Sequence, residues 1–423
     1  MRTPQEIDLA IVNIGNLYTF ASEKNKGFYG ETMRAQVPVV NGTIIVSQGK
    51  IVYAGATDAV TRMRTQNAAV LIDAAGKCVV PGLIDSHTHL IFSGNRRNEM
   101  LMRLEGRPYM DIHNSGGGIM STVRDTRNAS DDELYDTAVL RLLRMLENGV
   151  TTVEIKTGYG LNPAEELRHL QILARLRQDI TWCDIFITFM GAHSVPEEYT
   201  DRQDEYVSLV INEMIPQAAE YADFCDVFTE KGVFSIDESR RILNTAHEHG
   251  MKLKIHADEL SDLGGAALAA ELKAVSADHL LHASEDGIGK MRDAGCICTL
   301  LPGTPFCLFE NDFANARAMI EQGAAIAIAT DFNPGSCMMD SLSFAMHLAL
   351  YKMRMYPEEV FSAVTKNAAL ALDSGADRGS IEAGKNADIV ILDCLDLADY
   401  FYQAGATHVE NVIKNGEIVF TKN

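Results

Sequence analysis

Residues 79–90 read VVPGLIDSHTHL, an apolar and β-branched run that stops abruptly at two imidazoles, His87 and His89. A short continuous apolar run bounded by Pro or Gly is what a strand buried on both faces looks like, and such strands make parallel sheets. In an open doubly wound sheet the first strand should lead into a glycine-rich phosphate loop. Here DSHTHL stands in that place. A closed barrel is therefore the better reading of the run.

Seven comparable runs follow it: VTTVEIK (150–156), DIFITFM (184–190), DFCDVFT (223–229), KLKIH (252–256), VSADH (275–279), CICTLL (296–301) and AIAIAT (325–330). Helical patterns fall between them. DDELYDTAVLRLLRMLEN (131–148) opens acidic after Ser130, a suitable N-cap, and stops at Gly149. DESRRILNTAHEH (237–249) stops at Gly250 in the same way. Eight buried strands alternating with helices predict an α/β fold of the (β/α)8 TIM-barrel kind.

The two ends of the chain have a different texture. TIIVSQGKIVYAG (43–55) is a pair of β-rich runs about Gln-Gly, and NVIKNGEIVF (411–420) repeats the device about Asn-Gly, a strong hairpin signal. NADIVILD (386–393) adds another strand. These segments are expected to form one small β-sandwich-like domain built from both termini, residues 1–75 plus 375–423, around a barrel domain at 76–374; two separate edge hairpins are the alternative.

Composition narrows the functions open to such a fold. The chain has 423 residues, 47% hydrophobic and 22% charged, with a formal net charge of −21. That balance speaks against binding nucleic acid or an anionic membrane surface, both of which call for clustered Lys and Arg. It leaves an anionic small substrate open, because a local field is separate from net charge. The eight cysteines, at 78, 183, 225, 296, 298, 307, 337 and 394, form no CxxC pair or framework. Reduced thiols in a cytoplasmic enzyme are expected. The first ten residues carry Glu6 and Asp8 and lack the apolar core of a signal peptide.

In a barrel of this kind the active site lies at the C-terminal ends of the strands. There the sequence places His87 and His89, then His256, Asp258 and Glu259, then Asp278 and His279, and last Asp331. Residues i and i+2 of a strand share a face, so His87 and His89 can reach one ion. His256 and Asp331 complete a nitrogen-rich set suited to Zn2+ or Fe2+/Fe3+, between which the residues do not choose. Taken singly each His also fits ordinary packing; what carries weight is four motifs in order at four strand ends. His247 and His249 repeat the HxH spacing near a helix end, where residues two apart point in different directions. Gly116-Gly117-Gly118 does not follow a first strand, so a phosphate cradle is not expected there and a rim loop is.

The ensemble PGLIDSHTHL, IHADE, SADH and ATDFNP resembles the amidohydrolase superfamily over nearly the whole chain. Some members of it carry two metals bridged by a carbamylated Lys on the fourth barrel strand. Here that strand ends in Thr229-Glu230, and Lys156 ends the second, so the one-metal form with HxxE after strand five is the better match. Further strings, SGGGIMSTVRDTR (115–127), IKTGYGL (155–161), FMGAHSVPEEY (189–199), AVSADHL (274–280), LLPGTPF (300–306) and ATDFNPGS (329–336), resemble the branch that opens a propanoate-bearing imidazolone ring in histidine breakdown. The resemblance implies a hydrolase acting on a cyclic-amide C–N bond with one divalent ion held by His87, His89, His256 and Asp331. An aminohydrolase (deaminase) acting on a cyclic amidine or nucleobase is the alternative within the same machinery.

Residue roles follow as expectations. Glu259 can shuttle the proton from water to the leaving nitrogen, or merely orient a ligand. His279 can polarise the carbonyl and stabilise an oxyanion, or hydrogen-bond Asp331 structurally. Asp331 assists proton transfer, as the resemblance implies. Arg96, seven residues past His89, offers a planar fork for the propanoate carboxylate, with Arg97 as its competitor. The resemblance also assigns Tyr159, His193, Asn333, Gly335 and Ser336, with Glu259, to substrate binding, although Asn333-Pro334-Gly335 is equally turn chemistry. Related enzymes imply a homodimer.

Overall fold

The computed structural model describes residues 7–22, 26–107, 117–406 and 408–422. Among them are two eight-stranded sheets. The central one runs, in chain order, β6 (Leu83–Asp85), β7 (Val150–Lys156), β8 (Asp184–Ala192), β9 (Phe224–Thr229), β10 (Lys252–Ala257), β11 (Ser276–His279), β12 (Ile297–Leu300) and β13 (Ile326–Ile328). Neighbours in sequence are neighbours in space and all pairs are parallel. The ends of the sheet meet: Thr88 bridges Phe332, the Asp331 N–H donates to His87 O at 3.1 Å, and Thr330 donates its N–H and hydroxyl to the Asp85 carboxylate at 3.1 and 2.7 Å. The result is the expected TIM barrel, with the HxH segment lashed to the segment that carries Asp331.

The intervening helices form for legible reasons. Helix Asp131–Glu147 is capped by Ser130, whose hydroxyl accepts from Glu133 N, and opens with Asp131, Asp132 and Glu133 against the positive end of its dipole. It buries Leu134, Ala138, Leu142 and Met145, a helical stripe facing the barrel, and Gly149 turns the chain out at φ 86°. Helix Ile236–Glu248 begins with a capping box between Ser235 and Glu238. His249 lies just beyond that helix and its Nδ1 sits 2.9 Å from Thr245 O, away from any metal cluster.

The second sheet takes strands from both ends of the chain, in the order β16-β15-β14-β5-β1-β2-β3, with β4 pairing β1. Its members are β1 (Leu9–Leu17), β2 (Val39–Ser47), β3 (Lys50–Ala56), β4 (Val70–Asp73), β5 (Cys78–Pro81), β14 (Ile389–Leu392), β15 (Val409–Lys414) and β16 (Glu417–Thr421). The two hairpin turns, Gln48-Gly49 and Asn415-Gly416, have both residues at positive φ, which is the twist-matched geometry that Asn and Gly tolerate. Leu9, Ile11, Ile44 and Val46 from one end pack with Ile389, Ile391 and Ile413 from the other.

The run 79–85 proves to be two strands. Cys78–Pro81 pairs with β1 and β14 in the terminal sheet, and Leu83–Asp85 begins the barrel. Gly82 is the joint: its N–H donates to Asp388 O at 2.8 Å, and a Cβ there would fall 2.3 Å from the Thr151 hydroxyl. The HxH segment thus leaves the terminal sheet with only three barrel residues between. All eight cysteines are free thiols, and among the described residues no helix is long and apolar enough to cross a membrane.

Candidate active site

The strand ends deliver their side chains to one point. His87 and His89 come from the extended segment after β6, His256 from β10, His279 from the end of β11, and Asp331 from the segment after β13. Ligand atoms of His87, His89 and His256 lie within 4.8 Å of one another, as do those of His87, His279 and Asp331. His87 Nε2 and His89 Nε2 stand 3.4 and 3.6 Å from Asp331 Oδ1, and His89 Nε2 stands 3.3 Å from His256 Nε2. Two nitrogens bound at about 2.0–2.1 Å to one tetrahedral ion sit roughly 3.3–3.4 Å apart. His87 Nε2 and Asp331 Oδ1 are buried with no hydrogen-bond partner among the described residues. Buried polar atoms left in that state are costly, and a shared divalent cation satisfies both at once.

The far side of each imidazole fixes its orientation. His87 Nδ1–H donates to Asp278 Oδ2 at 2.6 Å, and His256 Nδ1–H donates to Asp226 Oδ2 at 3.0 Å. Each ring therefore turns its Nε2 lone pair to the centre, the carboxylate–histidine arrangement common around metals. Beneath them Lys156 Nζ lies 2.8 Å from both Glu154 Oε1 and Asp226 Oδ2 and 3.7 Å from Asp278 Oδ2. Lys254 donates to Ser86 O at 2.8 Å and reaches Glu154 Oε1 at 3.3 Å. All of these charged side chains are fully buried. The Lys156 ammonium is thus paired below the site, on the second barrel strand, not poised to bridge two ions.

Burial shapes the protonation of the cluster. It drives His87 and His89 well below the usual imidazole range, reinforced by Lys156 and the neighbouring rings, so both are neutral and able to ligate. Burial opposes the charge on Asp226, yet His256 and Lys156 beside it hold its carboxyl well below the ordinary range. Burial raises Glu259 well above that range, with Asp331, Glu230 and Glu310 adding repulsion. Burial likewise lifts Asp331 to about 6, against the hydroxyl hydrogen bond donated by Thr304.

Above the centre lies a cavity of about 280 Å³ lined by His89, Arg96, Ile119, Tyr159, His193, Ser194, Phe228, Val233, His256, Glu259, Leu260, His279, Asp331 and Asn333. Glu259 keeps 13% of its side chain exposed at this cavity, and its Oε1 stands 3.5 Å from His279 Nδ1. The near partner of His279 is thus Glu259; no hydrogen bond joins it to Asp331 among the described residues. His193 stacks on His89 at 4.8 Å between ring centroids, with its Nδ1 3.1 Å from Gly158 O, and Tyr159 tilts against both rings. Asn333 faces the cavity, but its side chain is also engaged in its own loop: Oδ1 accepts from Gly335 N and Ser336 N at 2.8 Å. Gly335 and Ser336 line an adjoining pocket of about 290 Å³ with Arg96, Arg97 and Arg103. Arg97 is exposed and faces only that pocket, whereas Arg96 reaches both.

Several contributors were not singled out by sequence reasoning. Asp226, Glu154 and Lys254 sit inside strands and were read only as parts of them, and Asp278, placed at a strand end, was given no role. Asp258, named within IHADE but given no role there, accepts from the N–H groups of Leu263, Gly264, Gly265 and Ala266 and so caps helix Gly265–Leu272. Asp258, His279 and Asp331 have φ of 50°, 79° and 54°, values sparsely populated for non-Gly residues. Of SGGGIMSTVRDTR, Ser115 and Gly116 lie outside the described residues; Gly118 precedes helix Ile119–Asn128, whose first residue lines the cavity.

Comparison with known proteins gives a consistent picture. Residues 78–419 match the model of the amidohydrolase family. The chain is 45% identical over 418 residues to imidazolonepropionase of Alkaliphilus metalliredigens, covering 98% of this chain and 99% of that one. It is 48% identical over 400 residues to imidazolonepropionase of Clostridium tetani, covering 94% and 95%. Among solved structures, a zinc-bound adenosine deaminase from Xanthomonas campestris superposes with a TM-score of 0.72 at 18% identity, covering 99% of this chain and 94% of that one. A triazine hydrolase variant does so at 0.74 and 16%, covering 98% and 94%. At these identities the structural likeness speaks to the fold alone.

Proposed function

The chain belongs to the amidohydrolase family and, within it, to the imidazolonepropionases, and we propose that the centre described above opens the ring of 4-imidazolone-5-propanoate to give N-formimino-L-glutamate in histidine degradation. It is a hydrolase of a cyclic-amide C–N bond. The observation that carries the site reading is the convergence of His87, His89, His256 and Asp331, with two of their ligand atoms buried and unpartnered.

Those four residues would hold one divalent ion, zinc or iron, for which three imidazoles and a carboxylate are a fitting set. When bound, such an ion lowers the pKa of water and polarises a carbonyl, which supplies the nucleophile that a ring amide otherwise lacks at neutral pH. The protein's own groups do the rest. Glu259 takes the water proton on its carboxylate and returns it to the departing ring nitrogen, a task favoured by its raised affinity for protons. His279, 3.5 Å from Glu259, stands beside the carbonyl oxygen and stabilises the charge that develops there. Asp331 combines ligation with proton relay. Arg96 takes the propanoate tail, while Tyr159, His193 and Asn333 bound the ring and Gly335 and Ser336 complete the tail side. A homodimer in the cytoplasm completes the reading; the eight free thiols suit that compartment.

The deciding experiment supplies 4-imidazolone-5-propanoate to the metal-loaded protein and identifies the product. N-formimino-L-glutamate without ammonia supports ring opening. Ammonia release, or the absence of turnover, overturns it in favour of a deaminase of the same family.

A further inference from the structure

Arg96 does not stand free to receive a carboxylate with its whole fork. Its Nε and Nη2 donate to Glu99 Oε1 and Oε2, both at 2.8 Å, which occupies the side-on edge of the guanidinium. Glu99 is 5% exposed, and its Oε1 also accepts from Gly118 N at 2.8 Å, at the start of helix Ile119–Asn128. Arg103 approaches the same carboxylate at 3.5 Å and donates to Gly335 O at 3.4 Å. On the other side the guanidinium lies against Gly335, where a Cβ would fall 2.0 Å from Nη1 and 2.8 Å from Cζ. Arg96 is therefore clamped in plane by an acid and packed against Gly335, where any Cβ would force the guanidinium to shift.

We propose that Glu99 is the positioning residue for substrate capture, and that the Glu99 clamp and the packing against Gly335 together present the end-on Nη1/Nη2 pair of Arg96 to the propanoate tail. A guanidinium has five N–H donors in a fixed fork; with the Nε edge spent on Glu99, the end-on pair is the remaining bidentate face. A free Arg would have to freeze several rotors to offer it, and the clamp has already done so. The same carboxylate fastens helix Ile119–Asn128 through Gly118, so the wall that carries Ile119 into the cavity is set by the same contact.

This inference rests on the proposed substrate, and its test separates the two. Turnover of 4-imidazolone-5-propanoate is compared with that of the same ring lacking the tail, in wild type, Glu99→Gln and Gly335→Ala. Binding of N-formimino-L-glutamate is measured alongside by calorimetry, which needs no turnover. Glu99→Gln should lower kcat/KM for the tailed substrate about 10- to 100-fold, chiefly through KM, as expected for losing charge-assisted hydrogen bonds around Arg96. Its loss on the tail-less ring should be no more than about threefold by the same reasoning. Gly335→Ala should show the same tail-specific pattern. Equal losses on both substrates, or none, would overturn the positioning role. A wild type that neither binds nor distinguishes the tail would instead overturn the substrate reading, and the clamp with it.

Discussion

Glu259 carries the sharpest residue-scale expectation. Gln at this position keeps the shape and removes the base, so Glu259→Gln should retain the ion by elemental analysis and lose at least about 100-fold in kcat. In the metal-free protein the same change should raise the melting temperature near neutral pH. The folded-state pKa of Glu259 is raised by burial, so its favourable contribution is present below the unfolded pKa and is lost as pH rises through the folded one. The gap between variant and wild type should therefore close as pH falls below the ordinary Glu range. A second test at this scale addresses the buried charges: Asp226→Asn or Lys156→Met should weaken metal affinity about 10- to 100-fold, read by competition with a chelator. The convergence of the four proposed ligands was legible from the i, i+2 spacing of His87 and His89 and from the strand-end positions of His256 and Asp331. Their supports were not, because Asp226 was read only as part of an apolar run and Asp278, placed at a strand end, was given no role. A usable signal did exist: Glu154, Lys156, Asp226, Lys254 and Asp278 all fall inside runs read as buried, and charged residues are rarely buried unless paired.

Among the elements, all eight barrel strands were legible as apolar runs, since a strand covered on both faces has no polar alternation to blur it. The first was read as one strand where there are two, because pattern alone cannot show that Val79 and Leu83 hydrogen-bond to different sheets. The joint, Gly82, gives a stability prediction. A Cβ there would meet Thr151 Oγ1 at 2.3 Å and Cγ2 at 2.8 Å, so Gly82→Ala overpacks the seam between terminal sheet and barrel. A loss of about 1–3 kcal/mol is expected, measured by denaturant unfolding. The loop after β6 is held from the opposite side by Arg141, which donates to Leu90 O and Phe92 O at 2.7 and 2.9 Å and stacks 3.5 Å over the Phe92 ring. That contact was invisible in the sequence because it joins a helix residue to a loop fifty positions earlier.

At the scale of the whole molecule, the terminal sheet and the barrel mouth are mechanically continuous, since β5 passes through one glycine into β6, the strand that leads to the HxH pair. The joining of both chain ends was legible from the two hairpin turns; the strand order that places β5 between β14 and β1 was not, because register between distant strands leaves no local trace. An ion that binds only the folded chain adds stability by mass action, about 2.7 kcal/mol at a hundredfold excess over its dissociation constant. Chelation should accordingly lower the melting temperature, and readdition of zinc or iron should restore it in a concentration-dependent way. The net charge of −21 is compatible with an anionic substrate because Arg96, Arg97 and Arg103 gather beside the mouth. The most direct test of the centre is anomalous diffraction at the metal edge from crystals of the purified protein. One ion per chain within bonding distance of His87 Nε2, His89 Nε2, His256 Nε2 and Asp331 is the expected result; no peak there, or two ions bridged through Lys156, would contradict it.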